Sequence, residues 1–256
     1  MATLGSLFDG IGGFPLAALQ FGIVPLWASE IEKFPIEVTK IRFPNMLHVG
    51  DITQLDGATL PPVDIISGGS PCQDLSVAGA RRGLAGERSG LFMEQIRVIR
   101  EMRNEEKRRG RTDDAVRPRY GIWENVPGAF SSGEPKGEDF RIVLEEFIRI
   151  ADDGVHVPRP ANGVWKSAGA ILGDEFSLAW RVLDAQYWGV AQRRRRIYLV
   201  ADFAGLSASK ILFESDSLQG HTSASIGAGQ DTAKGIGTCV DTAIDAGKSE
   251  IHNHMD

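Results

Sequence analysis

The sequence predicts an α/β fold in which a doubly wound, mostly parallel sheet carries helices on both faces. Apolar runs of strand length alternate along the chain with segments of helical periodicity, and repeated βα units form parallel sheets covered by helices. Glycines and acidic residues also come directly after the predicted strands. Open α/β sheets bind their ligands at that edge.

The predicted elements alternate in order along the first 201 residues. Strands are expected at 4–7, 23–29, 46–49, 63–67, 119–123 and 196–201, and helices at 13–21, 31–42, 89–104 and 137–152. The two later helices carry apolar side chains at helical spacing, which indicates packing against the core. These side chains are Phe92, Ile96, Ile99 and Met102 in the third helix, and Phe140, Leu144, Phe147 and Ile148 in the fourth.

Composition is typical of a globular protein. The chain has 256 residues, of which 42% are hydrophobic and 24% charged, enough to bury a sizeable core. No apolar run approaches the roughly 20 residues of a membrane helix, and the first residues lack a secretion signal, so we expect a cytoplasmic protein without membrane association. The two cysteines, Cys72 and Cys239, fit free thiols in a reducing compartment. Without Cys/His ligand spacing, no metal is expected.

Charge gives a less direct indication of the partner. The formal net charge of −6 argues against a polyanionic partner, but basic residues cluster in three runs, at 81–88, 107–111 and 193–196. A single run is commonly a solvated face. Three runs near loops that follow predicted strands favour phosphate contacts.

One cysteine lies where a catalytic group would be expected. Pro71-Cys72-Gln73 follows the apolar strand 63–67 after two glycines. A cysteine that only filled the core would lie within the apolar run. Its position in a loop held by a strand therefore favours a nucleophile.

Residues after the first three strands indicate an adenosine-containing cofactor. The glycine turn Phe8-Asp9-Gly10-Ile11-Gly12-Gly13 opens a helix with free amides. It differs from the dinucleotide fingerprint, because Pro15 replaces the third glycine. Glu30 follows the second strand and can accept hydrogen bonds from a ribose diol. Asp51 follows the third, although either acid alone could be a surface charge or a helix cap.

The last two predicted strands bring acid, amide and cations to the same edge. Glu124-Asn125-Val126 follows Trp123, where a carboxyl group could be partly desolvated and donate a proton, or could simply be exposed. In the run that begins at Gln192, the period-2 alternation of a strand sends Arg194 and Arg196 to one side and Arg193 and Arg195 to the other. One of these pairs can face the site.

Together these motifs resemble the C5-cytosine DNA methyltransferases. The resemblance covers residues 3 to about 202. It rests on four motifs in family order: Phe8-x-Gly10-x-Gly12, Pro71-Cys72-Gln73, Glu124-Asn125-Val126 and Gln192-x-Arg194-x-Arg196. It implies a Rossmann-like sheet that binds S-adenosylmethionine and releases S-adenosylhomocysteine. It also implies duplex DNA as the substrate and a bacterial or phage-encoded enzyme of restriction-modification type.

The resemblance also implies a role for each residue. Cys72 adds to carbon 6 of a cytosine flipped out of the duplex, Glu124 supplies a proton at N3, and Arg194 and Arg196 hold the base O2 and a nearby phosphate or thiol. The residues expected to bind the cofactor are Phe8, Asp9, Gly10, Gly12, Gly13, Glu30, Asp51, Ile52 and Pro71. Those expected to contact DNA are Gln73, Ser76, Arg88, Asn125, Val126 and Gln192.

Residues 204–256 depart from the family pattern. They contain no Arg, Pro, Trp or Tyr, so we expect a catalytic domain at 1–203 followed by a weakly ordered or partial target-recognition region. The resemblance implies two further conserved segments after this region, and we expect both to be missing here. Three hypotheses result: an active cytosine-5 methyltransferase; a truncated, split or inactive homologue that binds cofactor or a second chain; and a nicotinamide-dependent oxidoreductase, which the glycine spacing disfavours.

Overall fold

A single eight-stranded sheet organises the protein. The computed structural model describes residues 1–71, 90–189 and 191–213. Within these ranges the strand order is β3-β2-β1-β4-β5-β8-β7-β6. The strands are β1 Thr3–Leu7, β2 Val24–Ser29, β3 Leu47–His48, β4 Ile65–Gly68, β5 Tyr120–Asn125, β6 Ala168–Leu172, β7 Ser177–Asp184 and β8 Arg195–Asp202. The α-helices are α1 Gly13–Gln20, α2 Lys33–Arg42, α3 Leu91–Arg108, α4 Glu138–Ile148 and α5 Ala208–Leu212.

The first five strands are parallel, as the βα alternation predicts. The chain moves outward from β1 to β2 and β3 and then returns to β4 on the other side of β1. β4 pairs in parallel with β5. The direction of winding therefore reverses between β1 and β4, which is where doubly wound sheets bind ligands. This arrangement confirms the predicted fold class.

The other three strands form only antiparallel pairs with their neighbours, and two of them, β6 and β7, were not predicted. β6 and β7 form a hairpin, and β7 and β5 both pair antiparallel with β8. The sequence signal was present, because two apolar runs flank Gly173-Asp174-Glu175, a pattern typical of hairpins. Because β8 follows a hairpin connection rather than a crossover helix, it enters the sheet in the opposite direction.

Helices cover both faces of the sheet. Successive side chains of a strand point to opposite faces. In β8, Leu199 joins the large core formed with α3 and α4, whereas its neighbour Val200 packs with Ala208 of α5 on the other face. In β2, Trp27 lies in the large core, and Ala28 packs with Phe43 just beyond α2. Helix α5 lies beyond residue 203, where the catalytic domain was expected to end, and it packs on the sheet.

The basic run at 107–111 lies far from the ligand-binding edge, contrary to expectation. It lies at the end of α3, just before β5 begins, at the amino edge of the parallel strands. Arg108 and Arg109 pair with Glu105, and Arg111 pairs with Glu106. Glu105 and Glu106 therefore offset part of the positive charge of the run, whose four cations are Lys107, Arg108, Arg109 and Arg111. Among the described residues, no helix is long and apolar enough to cross a bilayer.

Candidate active site

The predicted site residues meet at the carboxyl edge of the parallel strands. Each strand delivers its polar residues just beyond its last residue. The groups brought to this edge are Phe8 and Asp9 after β1, Glu30 after β2, Asp51 after β3, Pro71 after β4, and Glu124 and Asn125 at the end of β5. Cys72, Gln73, Ser76 and Arg88 lie outside the described residues, and their predicted roles stay predictions.

The turn after β1 needs glycine for two different reasons. Gly10 and Gly12 have φ of 56° and 84°, in the left-handed region that favours glycine. A Cβ at Gly12 would also lie 2.5 Å from the ring of Phe43. Gly12 donates its amide to the carbonyl of Asp9 at 3.1 Å and begins α1. The result is a tight loop whose backbone lies at the edge of the sheet, with Gly13 exposed.

Glu30 ties the first two turns together. One carboxylate oxygen accepts a hydrogen bond from the Gly10 amide at 2.8 Å. The other accepts from the amides of Ile31 at 2.7 Å and Glu32 at 3.0 Å. Sequence reasoning missed the next residue, Ile31, whose apolar side chain is 66% exposed at this edge. The sequence signal that could have identified Ile31 is its position directly after an acidic residue at the end of a strand.

Asp9 is the most deeply buried acid of the turn. Its side chain is 7% exposed. Oδ1 accepts a hydrogen bond from the Ser6 hydroxyl at 2.6 Å, and Oδ2 has no hydrogen-bond partner among the described residues. Burial raises the pKa of Asp9 to about 6; the Ser6 hydrogen bond opposes this rise, and the nearby charge of Glu30 adds to it. Its ionisation therefore changes near neutral pH.

Asp51 and Ile52 both have structural roles, one as a helix cap and one in the core. Asp51 accepts a hydrogen bond from the Thr53 amide at 2.9 Å and caps the short 3-10 helix Ile52–Gln54. This is the cap alternative that the sequence left open. Ile52 was expected to bind cofactor, but its side chain is buried in the core. Its carbonyl accepts hydrogen bonds from Nη2 of Arg97 at 2.9 Å and from the Leu55 amide at 3.2 Å.

Glu124 and two arginines form the acidic and basic centre of the site. Oε1 of Glu124 lies 3.4 Å from Nη2 of Arg194 and 3.3 Å from Nε of Arg196. The predicted alternation is therefore confirmed, since both arginines face the same carboxylate. Glu124 is also close to the end of β4, because a Cβ at Gly69 would lie 3.2 Å from its Oε2. This carboxylate thus lies beside the segment that leads into Cys72.

Asn125 holds the end of β4, although it was expected to contact DNA. Its side chain is buried. Nδ2 donates to the Ser70 carbonyl at 3.1 Å, and Oδ1 accepts from the Val126 amide at 2.8 Å. Trp123 adds a hydrogen bond from Nε1 to the Ser70 hydroxyl at 3.3 Å. Asn125 therefore holds the backbone at Ser70, two residues before Cys72.

The remaining predicted residues lie at the surface of this edge. Pro71 and Gln192 are exposed, and Val126 is half-buried. Within the described ranges, no group of three or more His, Cys, Asp or Glu side chains could hold a metal ion.

Comparisons with known proteins identify the family. Residues 2–228 match the C-5 cytosine-specific DNA methylase family. A DNA N-6-adenine-methyltransferase of Escherichia phage P1 is 34% identical over 234 residues, which are 82% of this chain and 30% of that protein. The type II methyltransferase M.HhaI of Haemophilus parahaemolyticus is 28% identical over 194 residues, which are 76% of this chain and 47% of that protein.

Solved structures agree with the fold. The Dnmt2 methyltransferase of S. pombe superposes with a TM-score of 0.53 at 18% identity, over 87% of this chain and 57% of that one. A putative DNA modification methyltransferase encoded within an E. coli prophage gives 0.52 at 21% identity, over 87% of this chain and 51% of that one. Together, the sheet and its edge define a methyltransferase fold.

The chain belongs to the C-5 cytosine-specific DNA methylase family. It spans about a third to a half of the length of the two curated relatives described above. The name of the phage P1 relative states methylation of adenine, and it describes a protein of which this chain matches 30%.

Proposed function

We propose that the chain is the catalytic part of a DNA (cytosine-5)-methyltransferase of restriction-modification or phage type. The observation that carries the proposal is the Glu124 carboxylate, paired with Arg194 and Arg196 beside the strand end that leads into Cys72. Family membership adds the reaction class. The substrate would be a cytosine flipped out of duplex DNA, because a stacked base cannot reach a site at a sheet edge.

The turns after β1, β2 and β3 fit S-adenosylmethionine. The Gly10–Gly13 turn brings exposed backbone to the edge, and Glu30 has its carboxylate fixed by three amides. Such a fixed carboxylate can accept hydrogen bonds from ribose hydroxyls. The exposed Ile31 supplies an apolar surface for a purine ring. When bound, the cofactor supplies an electrophilic methyl group on a sulfonium.

Cys72 would begin the reaction by nucleophilic addition. Its thiolate forms a bond to carbon 6, and the electrons of the C5–C6 double bond move towards N3. Glu124 would supply a proton at N3, so the ring becomes enamine-like and carbon 5 becomes nucleophilic. After methyl transfer, a base removes the proton from carbon 5. The C5–C6 double bond re-forms as Cys72 leaves as a thiolate, and the N3 proton returns to Glu124.

The arginines would orient Glu124 and the base. Both guanidiniums lie within 3.4 Å of Oε1 of Glu124, leaving their other N–H groups for the cytosine O2 and a phosphate. Asn125 would hold the Ser70 carbonyl and thereby the approach of the Cys72 loop to the base. Each residue therefore has a separate task in positioning or proton transfer.

Analysis of the methylated base tests the proposal. The full chain is incubated with unmethylated DNA and S-adenosylmethionine labelled in the methyl group, and the DNA is digested to nucleosides. We expect label in 5-methylcytosine, and none with Cys72→Ser. Label in N6-methyladenine would contradict the proposal and support the activity that the phage P1 relative's name describes.

A second candidate is a cofactor-binding part of a larger or two-chain enzyme. The short coverage of its relatives favours it, because DNA recognition would then come from sequence outside this chain. Calorimetry with S-adenosylhomocysteine separates the two candidates. Binding of S-adenosylhomocysteine without methyl transfer supports the second candidate, whereas tight binding of NAD in its place would contradict both.

A further inference from the structure

The connection between β7 and β8 presents two aromatic side chains beside the active site. A 3-10 helix, Ala185–Trp188, follows β7 and ends at Gly189, which has φ of 80°. Tyr187 is 65% exposed and Trp188 is 51% exposed. Adjacent aromatic residues with this exposure leave a large apolar area in water, and such surfaces commonly mark binding sites.

The sheet register places this connection beyond the catalytic edge. Asn125, the last residue of β5, pairs with Ile197 of β8. The β7–β8 ladder continues past this point through Arg196 to the pair of Asp184 with Arg195. At about 3.3 Å per residue, the hairpin extends roughly 7 Å beyond the end of β5. The connection that carries the aromatic pair therefore lies beyond the edge where Glu124 lies.

Backbone contacts hold the connection in a defined shape. Oδ1 of Asp184 accepts hydrogen bonds from the amides of Gln186 at 3.3 Å and Arg194 at 3.1 Å, and the Ala185 amide donates to the Arg194 carbonyl at 3.1 Å. Arg194 also contacts Glu124. The aromatic residues and the catalytic carboxylate are thus linked through one short segment.

The charge around the aromatic pair favours a polyanion over a protein partner. Arg193 and Arg195 follow the pair in sequence, both are exposed, and neither forms an ion pair with another described residue. In contrast, three of the four cations in the basic run at the end of α3 pair with Glu105 or Glu106. Exposed aromatic rings beside unpaired cations are the combination that binds unstacked nucleic acid.

We propose that Tyr187 and Trp188 form an aromatic contact for DNA next to the target nucleotide. This inference rests on the proposed function, because DNA is the substrate assigned there. The rings would stack on bases that lose their neighbour when the cytosine flips, while Arg193 and Arg195 contact phosphates. Tyr187 and Trp188 are positioning residues, since they would hold the DNA and take no part in methyl transfer.

Tryptophan fluorescence reports this contact without requiring activity. All five tryptophans lie in the described ranges. Trp27, Trp123 and Trp180 are buried and Trp165 is half-buried, so Trp188 is the most exposed of them. Duplex DNA should reduce acrylamide quenching of the wild-type chain at low salt. With Trp188→Phe, that protection should disappear while DNA binding by anisotropy remains.

Affinity gives the second measurement. Tyr187→Ala with Trp188→Ala should weaken DNA binding about tenfold or more, with a larger effect on a duplex that contains a mismatched cytosine. Phe21→Ala is the matched control, because Phe21 is 81% exposed but follows α1 at the opposite edge of the sheet. Affinity for S-adenosylhomocysteine should stay unchanged in both variants.

Other outcomes would overturn the proposal. Equal DNA affinity for the double alanine variant and wild type would refute it, as would the absence of any DNA binding by wild type. Protection of Trp188 that depends on protein concentration rather than DNA would assign the surface to a protein partner. Equal affinity of the two chains, or protection that depends on protein concentration, would leave binding of S-adenosylhomocysteine and the base analysis above unchanged, so failure here is distinguishable from failure of the proposed function. Absence of DNA binding by wild type would be accompanied by loss of labelled 5-methylcytosine and would contradict both.

Discussion

The buried acid of the glycine turn should make the stability of the protein depend on pH. Asp9 is 7% exposed, and burial raises its pKa from 3.8 to about 6. The native state therefore retains a proton that the unfolded chain releases between these pH values. Stability falls with pH wherever the native state binds more protons. The contribution of Asp9 to stability should be fully present below about pH 4 and should be lost as the pH rises through 6.

The magnitude follows from the size of the shift. About two units at 1.36 kcal/mol each give about 3 kcal/mol of stability lost between pH 4 and pH 7. Asp9→Asn keeps an oxygen acceptor for the Ser6 hydroxyl and has no ionisable group. Relative to wild type, this variant should therefore gain about 2 to 3 kcal/mol as the pH is raised across that window.

Urea unfolding at several pH values measures the effect. The free energy of unfolding of Asp9→Asn minus that of wild type should rise steadily from pH 4.5 to 7.5. Ser6→Ala is the matched control, because it removes the hydrogen bond that lowers the pKa of Asp9. Its pH dependence should be steeper than that of wild type. A difference between Asp9→Asn and wild type that does not change with pH would refute this reasoning.

Three other substitutions test the remaining contacts. Asn125→Ala leaves the Ser70 carbonyl and the Val126 amide unpaired, so it should lower the free energy of unfolding in urea by about 2 to 4 kcal/mol. Asn162→Ala, in an exposed loop, is the control and should have little effect. Equal effects of the two substitutions would contradict the role of Asn125. Arg103→Met leaves the buried Pro118 carbonyl without its 2.6 Å donor and should lower stability by about 1 to 3 kcal/mol, yet leave S-adenosylhomocysteine affinity unchanged in calorimetry. Glu30→Gln places an amide group among three backbone donors and should weaken S-adenosylhomocysteine binding about tenfold or more, and unchanged affinity would remove Glu30 from the cofactor site.

Strand periodicity predicted the arrangement of the site where it could be applied. It placed Arg194 and Arg196 on one side, and both contact Glu124. The same rule would have placed Asn125 correctly. In β5 the buried residues alternate through Trp123 to Asn125, while Glu124 lies between them on the more open side. The motif suggested that Asn125 contacts DNA, whereas the period-2 alternation of β5 places its side chain on the buried face.

Other features depend on contacts that local patterns do not contain. The antiparallel half of the sheet requires knowing that β8 pairs with β5, which lies far earlier in the sequence, as well as with its neighbour β7. The burial of Ile52 depends on packing against α3, which lies some forty residues later. In contrast, the ion pairs within the run at 107–111 were readable, because Glu105 and Glu106 directly precede it at helical spacing.

Covalent capture of DNA tests the central claim most directly. The full chain is incubated with DNA in which 5-fluorocytosine replaces cytosine, together with S-adenosylmethionine, and intact complexes are measured by mass spectrometry. Fluorine at carbon 5 prevents the final loss of the proton, so the bond between Cys72 and carbon 6 should persist. The account predicts a complex of one chain with DNA plus one methyl group, absent in Cys72→Ser. Equal capture by Cys72→Ser, or methylated DNA formed without any adduct, would contradict Cys72 as the nucleophile.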